Sequence, residues 1–163
     1  MVKLLLEHGG DVRLNDNEFR SVIHWATGNL FDCRKKKTNR FLACGHSHLF
    51  DIFRRYDAPF HTADVHGAFP IHYASKFEPQ RSSTVLKQIL ESDAPIDSLD
   101  DQKRTALIWA ASSGEKSIEF SSCKREFSSC FKGADEELRI LFENGANANH
   151  GDKENLTGST KRK

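Results

Sequence analysis

The side chains best suited to metal binding lie close together in one part of the sequence. Cys33 and Cys44 precede His46 and His48, and four donors of these types could hold a zinc ion. The spacing of the cysteines is wide, however, and no C-x-x-C pair occurs among the four cysteines of the chain. A zinc site or a disulfide framework is therefore not expected, and we predict no metal and no other cofactor.

Catalytic motifs are also missing. The sequence contains no G-x-S-x-G, no H-E-x-x-H and no glycine loop of the kind that binds phosphate. Serine, cysteine and histidine are present, but they form no spaced set with an orienting partner. We therefore do not expect an enzyme.

A short basic run is the other candidate for a chemical role. It comprises Arg34-Lys35-Lys36-Lys37, with Arg40 close behind, and could act as a nuclear-import signal or contact phosphates. The net charge of +1 provides no general attraction to nucleic acid or anionic membranes. The preferred interpretation is a solvated loop, so nucleic acid is not the expected partner. A nucleic-acid or nuclear-import role through residues 34–40 is the alternative.

The helices and turns predicted for this chain follow an internal repeat of the sequence. In each copy a small residue is followed six positions later by aspartate and eleven positions later by the start of a helix-like phrase. The phrases are SVIHWA from Ser21, FPIHYA from Phe69 and TALIWA from Thr105, and Thr157 starts the fourth copy. Because the copies share one offset, the chain is predicted to consist of repeated structural units. The small residues are Gly10, Ala58, Ala94 and Ala146, and the aspartates are Asp16, Asp64, Asp100 and Asp152.

This pattern resembles the ankyrin repeat, a unit of about 33 residues with a turn, two helices and a T-P-L-H-x-A signature. Supporting helix-end phrases are LLLEHGGDV, RRYDAPF, ESDAPID and ENGANAN. Phe69 replaces the threonine, Ile108 replaces the histidine, and Phe19 and Lys103 stand where the turn usually has glycine. The resemblance implies an all-α fold, an α-solenoid of ankyrin repeats whose helix-turn-helix pairs are joined by β-hairpin-like loops. The phrases VIHWATG, GAFPIHYASK and ALIWAASSG are similar to those of inversin-type ankyrin scaffolds.

The spacing divides the 163 residues into one domain of consecutive units. Residues 1–10 form a partial unit, 11–58, 59–94 and 95–146 form larger units, and 147–163 form a partial unit with a tail. The unit 11–58 carries an insertion at 29–43, and the unit 95–146 carries one at 115–133. These insertions are either loops at the bend between paired helices, where added length is tolerated, or translated non-coding sequence. The partial units predict a fragment of a longer repeat protein.

Helix starts are predicted from residues that can bind free backbone N–H groups. Ser21 and Thr105 can cap the first helices of their units, and Ser82 or Ser83 can cap the second helix of the unit 59–94. Phe69 cannot cap, so its helix start is expected to be weaker by about 1 kcal/mol.

Helix ends are predicted from glycine and from the apolar pattern. The first helices of the units 11–58 and 95–146 are expected to end at Gly28 and near Gly114. The second helix of the unit 59–94 is predicted over 84–91. The last second helix is predicted over 135–143, with an apolar set of Leu138, Ile140, Leu141 and Phe142.

Two sets of ring side chains recur in the signature. In the ankyrin family the signature histidine ties neighbouring loops together, which implies structural roles for His24 and His72. Trp25, Tyr73 and Trp109 occupy one equivalent position in successive units. We expect these aromatic side chains to fill the seam between units, with partner contact as the alternative.

The function implied by the resemblance is binding of another protein, as a scaffold or adaptor that is monomeric or part of a longer chain. A regulatory segment of a larger enzyme or channel is a further alternative. No apolar run approaches the roughly 18 residues of a membrane span, and the apolar run at the start is too short for a signal peptide, so an intracellular, cytoplasmic location is expected. The expected contact residues are Asn17, Glu18, Trp25, Val65, His66, Tyr73, Asp101, Gln102 and Trp109.

Overall fold

The computed structural model describes residues 2–28, 47–76, 83–116 and 136–153, which form short α-helices and no β-strand. The basic run, the insertion 29–43 and nearly all of the insertion 115–133 lie outside these residues. The candidate zinc donors also lie outside them, apart from the helical backbone of His48. The helices are α1 (Val2–Glu7), α2 (Val22–Gly28), α3 (Ser47–Arg55), α4 (Pro70–Ser75), α5 (Thr84–Leu90), α6 (Ala106–Lys116) and α7 (136–143).

The helices pack in two rows that follow the sequence repeat. Helix α4 contacts α2 on one side and α6 on the other, so the first helices of the three larger units form a first-helix row. Helix α3 contacts both α2 and α5, and α5 also contacts α4. The second helices α3, α5 and α7 form a second-helix row, in which Lys87 of α5 lies 3.7 Å from Glu136 of α7. No helix within the described ranges is long and apolar enough to cross a bilayer.

One continuous apolar core lies between the two rows. Ile23 and Ile71 from the first-helix row and Phe50, Leu86 and Ile89 from the second-helix row have almost no exposed surface. Side chains of this kind contribute about 1.5–3 kcal/mol each when fully buried. The short helices are thus stabilised by apolar contacts with neighbouring helices rather than by their own length.

Each second helix is followed within three residues by a left-handed residue, which stands directly before the small residue of the repeat. The φ angles are +52° at Asp57 and +55° at Asp93, positions where the chain reverses direction after a helix. Glycine fills the equivalent position in the other two copies, at Gly9 and Gly145. Because aspartate tolerates this conformation better than most residues, all four copies can turn at the same place.

Three local predictions need correction. Of the two residues predicted to cap α5, Ser82 lies outside the described residues, and Ser83 makes no side-chain capping bond because its φ of −56° and ψ of −10° place it in the helical region, whereas a capping residue is extended. Helix α6 continues to Lys116 and contains Gly114, because glycine weakens a helix without ending it. Phe142 is half exposed, while the other apolar residues predicted beside it are buried, namely Leu138, Ile140 and Leu141.

Candidate functional site

The repeated aspartate closes the loop of each larger unit. Oδ1 of Asp64 accepts the backbone N–H groups of His66 and Ala68, each at 2.9 Å. Asp16 and Asp100 bind the backbone two and four residues ahead in the same way, at distances of 2.8–2.9 Å. The three loops therefore have one shape, and each presents a two-residue loop tip directly after its aspartate.

The residue three positions after the aspartate is left-handed in each loop. Its φ is +57° at Phe19, +68° at Gly67 and +57° at Lys103, which confirms that Phe19 and Lys103 stand where the turn favours glycine. At Gly67 a Cβ atom would lie 2.6 Å from Oδ1 and 2.9 Å from the backbone nitrogen of Asp101. The turn of the unit 59–94 is therefore tightly packed against the next loop.

The second carboxylate oxygen of each aspartate holds the aromatic residue of the signature. The donor is an indole N–H or a phenol hydroxyl from the first helix of the same unit. The pairs are Trp25 with Asp16 at 2.9 Å, Tyr73 with Asp64 at 2.5 Å and Trp109 with Asp100 at 2.9 Å. The predicted aromatic set therefore has a structural task, which is to fasten each first helix to its own loop.

An arginine joins this contact in two of the three loops. The guanidinium of Arg20 pairs with Asp16 and lies 4.5 Å from the centre of a Trp25 ring. Burial opposes ionisation of Asp16, but hydrogen bonds from Arg20 and its neighbours prevail and lower its pKa to about 2. Arg104 makes the same set of contacts in the third loop. In the middle loop, where alanine stands in place of the arginine, burial and the bond to Asp64 raise the pKa of Tyr73.

His24 links the first loop to the second. Its Nδ1 accepts the backbone N–H of Ser21 at 3.0 Å, so Nε2 carries the proton and donates to the carbonyl oxygen of Ala68 at 3.1 Å. The ring is 2% exposed, and burial lowers its pKa and keeps it neutral. The contact joins residues 44 positions apart.

His72 repeats this link one unit later. Nδ1 accepts the backbone N–H of Phe69 at 3.0 Å, and Nε2 donates to the carbonyl oxygen of Arg104 at 3.0 Å. Burial lowers its pKa as well. These bonds confirm the predicted structural role of both histidines. In the third unit the equivalent Ile108 is fully buried.

Neighbouring loop tips are joined through their backbones. In each pair the N–H directly after one aspartate donates to the carbonyl oxygen of the second tip residue in the preceding loop. The bonds run from Val65 to Glu18 at 2.9 Å, from Asp101 to His66 at 3.1 Å and from Lys153 to Gln102 at 3.2 Å. The structure thus brings six predicted contact residues into one row with exposed side chains, the tip row: Asn17, Glu18, Val65, His66, Asp101 and Gln102.

The three predicted aromatic residues differ in exposure. Tyr73 lies in a seam, with ring-centre distances of 5.9 Å to His24 and 5.4 Å to Trp109, and Trp109 also packs 5.5 Å from His72. Trp25 is 41% exposed. Tyr73 and Trp109 therefore fill the space between units, as preferred from the sequence, and Trp25 is the member that presents the most surface.

The contacts of the repeated aspartates and of the arginines were not predicted from the sequence. The acid was counted in every copy, but its bonds to the loop backbone and to the aromatic residue were not predicted. The signal was available as a recurring interval, because Asp16 precedes Arg20 by four positions and Trp25 by nine, as Asp100 precedes Arg104 and Trp109.

The described residues contain no group of three or more histidine, cysteine or acidic side chains that could hold a metal ion. Compared with protein-family models and with curated protein sequences, the chain shows no match.

Proposed function

We propose that the chain is a stack of ankyrin-type repeats that serves as a protein-binding scaffold or adaptor. The observation that supports this function is the tip row, in which equivalent backbone bonds of 2.9, 3.1 and 3.2 Å join successive loops. Each loop uses its backbone for these bonds and for its own aspartate, so its tip side chains take no part in either contact.

This separation of backbone and side chain is what a binding surface needs. Tip side chains can change without loss of the bonds that hold the loops, so a partner can select their chemistry while the scaffold keeps its shape. Glu18, Val65 and Gln102 offer an acid, an apolar side chain and an amide in adjacent tips. Trp25 extends the surface with an exposed aromatic ring, and such rings often dominate interface energies.

The test compares variants of the tip row with variants of the second helices. A tagged chain with Glu18→Ser, His66→Ser and Gln102→Ser is used to capture protein partners, which are identified by mass spectrometry. The matched control carries Arg55→Ser and Arg139→Ser, two exposed positions of the second-helix row. The tip variant should keep its circular dichroism spectrum and melting temperature but lose the partners that the control retains.

A chain that lacks residues 34–40 completes the set. The scaffold proposal expects it to retain the same partners, since the basic run lies outside the tip row. Loss of capture in this deletion, with unchanged capture by the tip variant, would contradict the proposal and favour the alternative role of the basic run.

A further inference from the structure

Arg54 fills a slot between two second helices. From α3 its Nε donates to Oγ of Ser92 at 2.9 Å, and its Nη2 donates to the carbonyl oxygen of Gln88 and pairs with Glu91 at 3.2 Å. Nη1 lies 3.5 Å from Asp51 of its own helix. One guanidinium thus joins α3 to α5 through a backbone oxygen, a hydroxyl and a carboxylate at once.

The same slot recurs between α5 and α7 without the arginine. Arg54 stands four residues before Ala58, and the residue four before Ala94 is Leu90. The groups that Arg54 contacts on α5 and directly after it have equivalents on α7 and directly after it. Glu91 corresponds to Glu143, Ser92 to Asn144 and Gln88 to Ile140, as counted from Ala94 and Ala146.

A cavity of about 280 Å³ lies at this place. Its lining contains Leu90 at the arginine position together with the three equivalent residues, which lie on α7 or directly after it. The complete lining is Lys87, Leu90, Glu91, Ile140, Glu143 and Asn144. The cavity therefore occupies the position at which a guanidinium lies one interface earlier.

We propose that this cavity binds the guanidinium of an arginine side chain supplied by a protein partner. The inference rests on the proposed scaffold function and adds a second contact point, on the second-helix row. Leu90 and Ile140 offer an apolar floor for the methylene groups of an arginine. Glu143 offers a carboxylate, and Asn144, whose amide nitrogen donates to the carbonyl oxygen of Ile140 at 2.7 Å, offers its amide oxygen.

The charges at the rim favour a cation. Glu91 already pairs with Arg54 at 3.2 Å, and Lys87 lies 3.7 Å from Glu136, which leaves the Glu143 carboxylate of the lining, within the described residues, for an incoming cation. Arginine fits better than lysine because its planar fork can bond the Glu143 carboxylate and the Asn144 amide oxygen together. These two groups are the counterparts of the Glu91 carboxylate and the Ser92 hydroxyl that Arg54 bonds in the neighbouring slot.

The first experiment titrates the isotope-labelled full chain with N-acetyl-arginine amide and follows the side-chain amide signal of Asn144 by NMR. N-acetyl-citrulline amide has nearly the same shape without the charge and serves as the control probe. Arginine should shift the Asn144 signal in a saturable manner, and citrulline should not. No saturable shift, or equal shifts from both probes, would overturn the proposal.

Variants then locate the site. Leu90→Arg supplies the guanidinium from the chain itself and should abolish the arginine shift, whereas the size-matched Leu90→Met should retain it. Glu143→Gln should weaken binding about tenfold. Retention of binding in Leu90→Arg, or unchanged affinity in Glu143→Gln, would place the probe elsewhere and contradict the proposal.

A reciprocal variant tests the repeat argument directly. Arg54→Leu should open the first slot and create a second arginine-binding site, reported by shifts around Ser92. The variant of the three tip residues should bind arginine as the parent chain does. Failure of partner capture at the tip row and failure of arginine binding at the cavity are therefore separate results.

Discussion

The first-helix row and the second-helix row are built on the same period but use it differently. Among first helices and their loops, equivalent atoms make equivalent bonds, as in the links from His24 to Ala68 and from His72 to Arg104. Among second helices the equivalent positions diverge, since Arg54 bridges one interface and Leu90 leaves a cavity in the next.

This difference separates what holds the molecule together from what can distinguish one unit from another. Bonds between backbone atoms and a buried side chain tolerate little change, because an unpaired buried polar group costs about 1–3 kcal/mol. Loss of the half-exposed contacts of the second-helix row should change the free energy of unfolding little. We therefore expect large stability effects from the polar contacts of the first-helix row and small ones from the polar contacts of the second-helix row.

The largest effect is expected from His72→Ala. It removes two hydrogen bonds of a fully buried ring, leaves the Phe69 N–H without its acceptor, takes one of two donors from the Arg104 carbonyl and opens a cavity. The expected loss is about 3 kcal/mol in free energy of unfolding, measured by urea denaturation. The control is His66→Ala at an exposed loop tip, which should change stability by less than about 0.5 kcal/mol. Similar losses in both variants would break the comparison.

Gly67→Ala is expected to cost about 2 kcal/mol, because the residue has a φ of +68° and the new Cβ would meet the backbone of Asp101 at 2.9 Å. The control is the reverse change, Phe19→Gly, at a position with a φ of +57° in the first loop. It should raise stability by about 0.5–1 kcal/mol, because the strain of a left-handed phenylalanine is removed. Thermal melts of both variants test whether the loops share one backbone shape.

Lowering the pH should destabilise the first-helix row. Burial lowers the pKa of His24 and His72 below 6.5 in the folded chain, so the unfolded chain takes up protons first as the pH falls. Their stabilising contribution is complete above about pH 6.5 and declines below it, by at most about 1.4 kcal/mol per histidine for each pH unit. Denaturation at a series of pH values measures the slope, and His72→Gln should make it shallower. An unchanged slope would show that His72 is not titrating.

Arg54→Leu should have the smallest effect, a loss of about 1 kcal/mol. The side chain is 31% exposed, so solvent screens its ion pairs, and the bonds to Ser92 and the Gln88 carbonyl carry most of the effect. The complementary change Leu90→Arg should gain a similar or smaller amount. If Arg54→Leu destabilised the chain as much as His72→Ala, the distinction between the rows would fail.

Much of the first-helix row could be predicted from the sequence. The fixed interval from the small residue to the signature placed the loops and helices, and the departures at Phe19 and Lys103 marked positions that are left-handed in the structure. These features are local, since a turn is set by residues a few positions apart. The structural role of His72 followed from the family resemblance, and its burial and bonds agree with it.

The second-helix row was less predictable. The slot of Arg54 depends on atoms of α5 and of the residues directly after it, 34–38 positions away in the sequence. The sequence does not show how two second helices are rotated toward one another. Phe142 was assigned to the apolar set because it continues the apolar run, yet rotation of the helix leaves it half exposed. Ser83 shows the same limit on a smaller scale, since its type suits a cap and its backbone angles do not.

The backbone bonds of the tip row have a mechanical consequence. Each one joins a loop only to the next loop, as Asp101 is joined to His66 and Lys153 to Gln102. A pulling force applied to the two ends of the described chain would therefore load these bonds one after another rather than together. Stretching should proceed in successive extension steps, each releasing one loop while the remaining units keep their tertiary contacts.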